Sequence, residues 1–89
     1  MHVEFFGVPR ERAGIASLDV QAGTLGQLWT TLAAQIPALG NLICADRLNG
    51  ARLTPSVVAN LNGDRFVSDP ATPLADSDSI LILSADAGG

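Results

Sequence analysis

Ile80-Leu81-Ile82-Leu83, running straight into Ser84-Ala85-Asp86-Ala87-Gly88-Gly89, fixes the frame for the rest of this 89-residue chain. Four consecutive apolar side chains after the polar stretch of residues 69–79 predict a short strand. Side chains on a strand alternate between faces, so a wholly apolar strand is covered on both and belongs in the middle of a sheet. The six residues that follow have the opposite character. They are small, they close on a glycine pair, and fully extended they reach at most about 20 Å. A central strand with a slender arm leaving its end is the expectation.

The rest of the sheet is read outward from that strand. Residues 3–8 are apolar and partly alternating until Pro9. They predict a first strand with Val3 and Phe5 on one face and Glu4 and Phe6 on the other. Residues 9–15 read as a polar turn holding Gly14, and residues 17–21 as the return strand of a hairpin, with Leu18 and Val20 inward. Thr24 and Gln27 fit a capping box, in which the Thr side chain accepts an orphan backbone N–H and the Gln side chain reaches back. Leu25, Leu28, Trp29, Leu32, Ala33 and Ile36 follow as one helical stripe, which Pro37 ends. Gly26 conflicts mildly with that helix, at roughly 1 kcal/mol relative to Ala.

Residues 39–48 read as a second, shorter helix with Leu42, Ile43 and Cys44 partly buried, ended by Asn49-Gly50. Residues 56–61 predict a third strand. Asn62-Gly63 is a two-residue hairpin turn into residues 65–68. The resulting order is strand, strand, helix, short helix, strand, strand, strand, with the last strand returning to the centre beside the first. That is an α+β chain of the β-grasp type: a mixed sheet of about five strands with one main helix and one short helix on one face. Residues 1–83 form the domain and residues 84–89 a flexible tail.

Composition narrows the function. With 47% hydrophobic residues the chain folds, and at 89 residues it has one core and no room for a substrate pocket with its own catalytic shell. A net charge of −4 without a basic run argues against nucleic acid and anionic membranes and favours a partner with a basic surface. No apolar run approaches the roughly 20 residues that span a bilayer, and the first residues lack the features of a signal peptide, so a cytoplasmic location is expected. The bases are all arginine (Arg10, Arg12, Arg47, Arg52, Arg65). Two readings of the missing lysine stand: a codon preference, or the absence of an internal ε-amine that would attack an activated acyl group.

The usual catalytic parts are missing. The one histidine, His2, lies at the start of the chain; there is no tyrosine, no phosphate-binding glycine loop and no CxxC. Cys44, in the apolar setting Ile43-Cys44-Ala45, is read as a buried packing residue, because a reactive thiol needs an electropositive, exposed setting. One Cys and one His cannot close a zinc site, and Asp76 with Asp78 lacks the further ligands that calcium needs. No cofactor or metal is expected on the chain, and by itself it is not expected to be an enzyme.

The terminal glycine pair sits directly after the central strand, and other stretches share a pattern with it. These are Val3-Glu4-Phe5-Phe6-Gly7 with Arg10-Glu11 and Ala13-Gly14, then Leu61-Asn62-Gly63, then Pro73-Leu74 with Asp76-Ser77-Asp78 and Ile80 to Leu83. In order and spacing over nearly the whole length, the chain resembles the MoaD/ThiS family of ubiquitin-like sulfur carriers, which includes the molybdopterin synthase small subunit. Ser77 and Ser79 depart from the family's Asp-Gly-Asp-Glu turn. Ser84-Ala85-Asp86-Ala87 replaces its common Pro-Pro-Val-Ser.

The resemblance implies a mechanism. The Gly89 carboxylate, with Gly88 beside it, is adenylated by a ubiquitin-activating-type partner that uses ATP. A desulfurase or rhodanese-type sulfur donor then displaces AMP, leaving a thiocarboxylate that gives up its sulfur on an accepting enzyme such as the molybdopterin synthase large subunit. Activation is needed because the free carboxylate, with a pKa of about 3.3–3.7, is an anion and a poor electrophile at neutral pH. Strand parity places Phe6, Leu81 and Leu83, with Phe66, in an exposed apolar patch beside the tail, where a partner docks along with Ser84, Ala85, Asp86 and Ala87. Arg10 and Arg12 lie at its rim. Molybdopterin synthesis leads the expected pathways. The alternatives are thiamine, cysteine or tRNA thiolation, a ubiquitin-like protein modifier, and a β-grasp interaction module without acyl chemistry.

Overall fold

The computed structural model describes residues 1–46, 48 and 50–88. Its elements in chain order are β1 (His2–Phe6), α1 (Val8–Ala13), β2 (Ser17–Asp19) and α2 (Leu25–Gln35), then a 3-10 turn (Pro37–Leu42). They continue with β3 (Ile43–Asp46), β4 (Gly50–Leu53), β5 (Val57–Leu61), β6 (Arg65–Val67), β7 (Ser79–Ser84) and α3 (Ala85–Gly88). Five strands form one sheet in the order β2-β1-β7-β5-β6, and β3 pairs with β4 in a separate two-stranded sheet. The last strand is the central one. It runs parallel to β1, with Val3 opposite Ile80 and Phe5 opposite Ile82, and antiparallel to β5. This is the mixed-sheet β-grasp architecture that the element order implies.

The core fills the space between the sheet and α2. Val3, Phe5, Ile80, Ile82, Val57, Ala59 and Leu61 bury their side chains on the inner face, against Leu25, Leu28, Trp29 and Leu32 of the helix. Each of those four helix residues is at most 1% exposed, and full burial of such side chains stabilises by about 1.5–3 kcal/mol apiece. The capping box holds as expected at Thr24, whose hydroxyl accepts the Gln27 amide N–H at 3.2 Å. Gln27 Oε1 reaches one residue further back than expected and accepts the Gly23 N–H at 2.9 Å.

Three local readings are corrected. Residues 9–15 are not a turn: Val8–Ala13 is a short helix, closed by Gly14 in the left-handed conformation with its N–H on the Arg10 carbonyl at 3.0 Å. Proline is tolerated in a helix's first turn, where its missing N–H has no partner to lose, so Pro9 opens this helix instead of stopping the chain. The short helix expected over residues 39–48 is borne out only at its start, where Pro37–Leu42 forms a 3-10 helix; Arg47 lies outside the described residues. After the 3-10 turn, Ile43–Asp46 forms a hairpin with Gly50–Leu53. β-branched Ile43 favours a strand, and Asn49-Gly50, read as a helix stop, is equally a hairpin signal. Cys44 is therefore exposed, not packed in a helix–core interface.

A polar knot holds the entry to β7. Asn62, with φ 58, and Gly63, with φ 69, make the tight β5–β6 turn. The Asn62 amide group donates to Asp78 Oδ1 at 3.0 Å, while Asn62 Oδ1 accepts the Ser79 N–H at 2.8 Å. Asp78 Oδ2 accepts the Ala75 N–H at 2.8 Å. Both carboxylate oxygens of Asp78 are thus engaged in closing a loop.

Candidate functional site

The region where β7 ends is assembled from three separate parts of the chain. β7 runs one residue beyond the apolar stretch, so Ser84 pairs with Val57 and belongs to the sheet. Its hydroxyl oxygen accepts the Val8 N–H at 3.0 Å, tying the strand end to the start of α1. Ala85 N–H donates to the Ser56 carbonyl at 2.9 Å on the other side. The chain then turns into the single helical turn Ala85–Gly88. The boundary between sheet and C-terminal segment falls after Ser84 instead of after Leu83. Ala85 is half-buried and Asp86 exposed. Gly89, the expected reacting residue, lies outside the described residues.

The outer face of the sheet carries the expected patch, with one correction. Register sets Phe6, Leu83 and Val58 in one row across β1, β7 and β5. Glu4, Leu81, Asn60 and Phe66 form the next row, from β1 to β6. Phe6 and Phe66 are 54% and 58% exposed, large apolar side chains left open to water, and Leu81 is half-buried. Leu83 is only 9% exposed and contributes little to the open surface. It is flanked in register by Phe6 and Val58, and the α3 turn packs against the end of its strand. Asn60 Oδ1 on the same face is buried without a hydrogen-bond partner among the described residues.

Phe6 also borders a shallow concavity lined by Gly7, Arg10, Glu11, Gly14, Ile15 and Ala16, which places Arg10 at the patch rim. At the far end of the outer face His2 sits between Glu4, 3.3 Å from Nε2, and Asp19, 3.1 Å from Nδ1. Near the start of β7, the Asp78 carboxyl is held below its ordinary value by the Ala75 N–H and the Asn62 amide group; Arg65 adds to the effect and desolvation opposes it. Among the described residues no group of three or more His, Cys, Asp or Glu is placed to hold a metal ion. Among the described residues no helix is long and apolar enough to cross a membrane.

The structure leaves Phe6 and Phe66 exposed and Leu81 half-buried on the outer face, as sequence reasoning expected, and adds two partners of the segment's root that it did not name, Val8 and Ser56. Gly7-Val8-Pro9 carries a usable signal for the first: a glycine followed by proline in the first turn marks a helix start. Ser56 gives none, because it contributes only a backbone carbonyl.

A five-stranded β-grasp sheet with a central last strand is the fold of ubiquitin-like proteins, and a family match sets this chain among the ubiquitin-like sulfur carriers and modifiers. Small carriers of the ThiS type are not themselves enzymes and work with partner enzymes. The chain belongs to the ThiS family, whose pattern matches residues 3–89. No curated protein sequence matches it. Among solved structures it is similar to small archaeal modifier protein 1 from Methanosarcina acetivorans, at 26% identity and TM-score 0.76, covering 99% of this chain and 94% of that one. The HVO 2177 protein of Haloferax volcanii is 28% identical with TM-score 0.72, over 99% of this chain and 84% of that one. A chain of the BexX/CysO complex from Amycolatopsis orientalis shares the fold at 18% identity and TM-score 0.76, over 99% and 98% of the two chains.

Proposed function

We propose that this protein is a sulfur carrier whose Gly89 carboxylate is converted to a thiocarboxylate, with molybdopterin synthesis as the leading pathway. The observation that carries the reading is a Gly88-Gly89 pair in the sequence a few residues after the central strand of a ThiS-family domain, whose family match extends over residues 3–89. The carboxylate attacks the α-phosphorus of ATP on an adenylating partner and pyrophosphate leaves. A persulfide on the sulfur donor attacks the acyl carbon and AMP leaves; a thiol then reduces the acyl disulfide, freeing the thiocarboxylate. The carrier contributes position and reach, and its partners contribute the acid–base and electrostatic work. Phe6 and Phe66, with the half-buried Leu81 between them, form the docking face.

The second reading, a protein modifier that forms an isopeptide bond through Gly89, is favoured by the similarity to an archaeal modifier protein. Intact mass of the protein from its native host separates the two. A gain of about 16 Da, one oxygen replaced by sulfur, is expected of the carrier, and a ladder of conjugates of the modifier. An unmodified terminus, together with full function after deletion of Gly89, refutes both and leaves an interaction module. Co-purification of a molybdopterin synthase large subunit tests the pathway.

A further inference from the structure

We propose that Ser84 is a positioning residue for the activation of Gly89, clasping the root of the C-terminal segment so that only residues 86–89 enter a partner. The proposal rests on the carrier reading above. Three observations support it. The Ser84 hydroxyl accepts the Val8 N–H at 3.0 Å, and the next residue donates its own N–H to Ser56 at 2.9 Å, so the root is tied on both sides. The first bond completes an otherwise open helix end. Gly7, the residue before α1, has no side chain to cap it, and Ser84 supplies the cap from across the sheet.

The close approach is built into the backbone. Gly7 has φ 71, and a Cβ there would fall 2.8 Å from Ser84 Oγ, so a side chain at position 7 would drive the two segments apart. The Ser56 side is held as well. Thr54 and Ser56 hydroxyls lie 2.9 Å apart, and the Val57 N–H reaches the Thr54 carbonyl at 3.2 Å. In the resembled pattern a Pro-Pro pair stands at the positions of Ser84 and Ala85 and stiffens the chain through its rings. Proline at 85 has no N–H to give Ser56. Here hydrogen bonds stiffen the same place.

The consequence is a shorter arm. Four residues reach about 14 Å, whereas six reach about 20 Å. Without the Val8 bond Ser84 stays in the sheet, but the segment it roots is held on the Ser56 side alone and loses its aim, which lowers the effective concentration of the terminal carboxylate in a partner's active site. The outer face that docks is untouched, so the loss falls on turnover and not on binding.

The test is ATP-dependent activation by the adenylating partner from the native host, comparing wild type with Ser84→Ala and Ser84→Thr. Hydrogen exchange of the Val8 amide is followed in parallel. For Ser84→Ala we expect Val8 exchange to accelerate about tenfold and kcat to fall about threefold or more, with KM within about twofold of wild type. Ser84→Thr, which keeps the accepting hydroxyl, restores both. Unchanged kcat in Ser84→Ala overturns the proposal, as does a fall that Ser84→Thr fails to restore. A wild-type chain that the partner never activates refutes the carrier reading, and the role of Ser84 with it.

Discussion

Replacing Gly50 with alanine is expected to destabilise the fold clearly, because the added methyl group meets the backbone of α2. Gly50 opens β4 with φ 96, a region that alanine adopts only at a cost of about 1–2 kcal/mol. A Cβ there would lie 3.1 Å from the Gly26 carbonyl oxygen, 3.1 Å from Thr30 Oγ1 and 3.3 Å from the Gly26 carbonyl carbon. The Gly26 atoms are α2 backbone and cannot swing aside, and turning the Thr30 side chain away would give up the bond its hydroxyl donates to the Gly26 carbonyl at 3.1 Å. Moving the hairpin off the helix by a few tenths of an ångström adds about 1–2 kcal/mol. A stiffer unfolded chain returns about 0.4–1 kcal/mol. The net loss is about 2 kcal/mol, which for a domain of this size lowers Tm by roughly 8–16 °C. Thermal melts followed by circular dichroism measure it directly. Gly40→Ala is the control: position 40 has no positive φ and nothing within 4 Å of an added Cβ, so its Tm should hold or rise slightly. If Gly50→Ala melts beside Gly40→Ala, the close packing of β4 on α2 is refuted.

Three further outcomes are expected. Because the folded pKa of Asp78 is lowered, its contribution is fully present above the unfolded value of 3.8 and is lost as pH falls through the folded one. Asp78→Ala should therefore destabilise at pH 6 and flatten the fall in Tm below about pH 4; an unchanged acid limb would count against the knot. On the outer face, Leu83→Ala should cost about 2 kcal/mol in urea unfolding, the lower end for a buried leucine, whereas Phe6→Ala should cost less stability but weaken partner binding. Equal stability losses would contradict the assigned exposures. Exposed Cys44 should react with a maleimide in the native protein within a few-fold of its rate in denaturant, and strong protection would restore the buried reading.

Much of the sheet was legible because its signals are local. Alternation at Val3 to Phe6 set the inner and outer faces, Thr24 with Gln27 marked the helix start, and Asn62-Gly63 marked its turn. The apolar run Ile80 to Leu83 identified the centre. What failed was ambiguous at the same range. Pro9 both ends strands and opens helices, and Asn49-Gly50 both stops helices and turns hairpins; tertiary packing chose between the readings. At Gly50 the choice coincides with the close approach to Gly26, a long-range fact no window of sequence contains. Leu83 was misjudged for another reason. Strand parity gave its face correctly, but neighbours from β1 and β5 cover a central-strand residue on either face. The clasp at Ser84 was invisible because a hydroxyl and two backbone groups leave no pattern.

The parallel pairing of β1 with β7 has a consequence for how the protein is made. β1 can pair early with β2, which follows it closely in sequence, but its parallel partner β7 lies at the other end of the domain, so closure of the sheet centre depends on distant contacts. A prematurely terminated product lacks the strand that joins the two halves and has no native centre to stabilise it. The strand that completes the fold is thus also the one from which the C-terminal segment departs, so a chain that stops short of it lacks the sheet centre and that segment together.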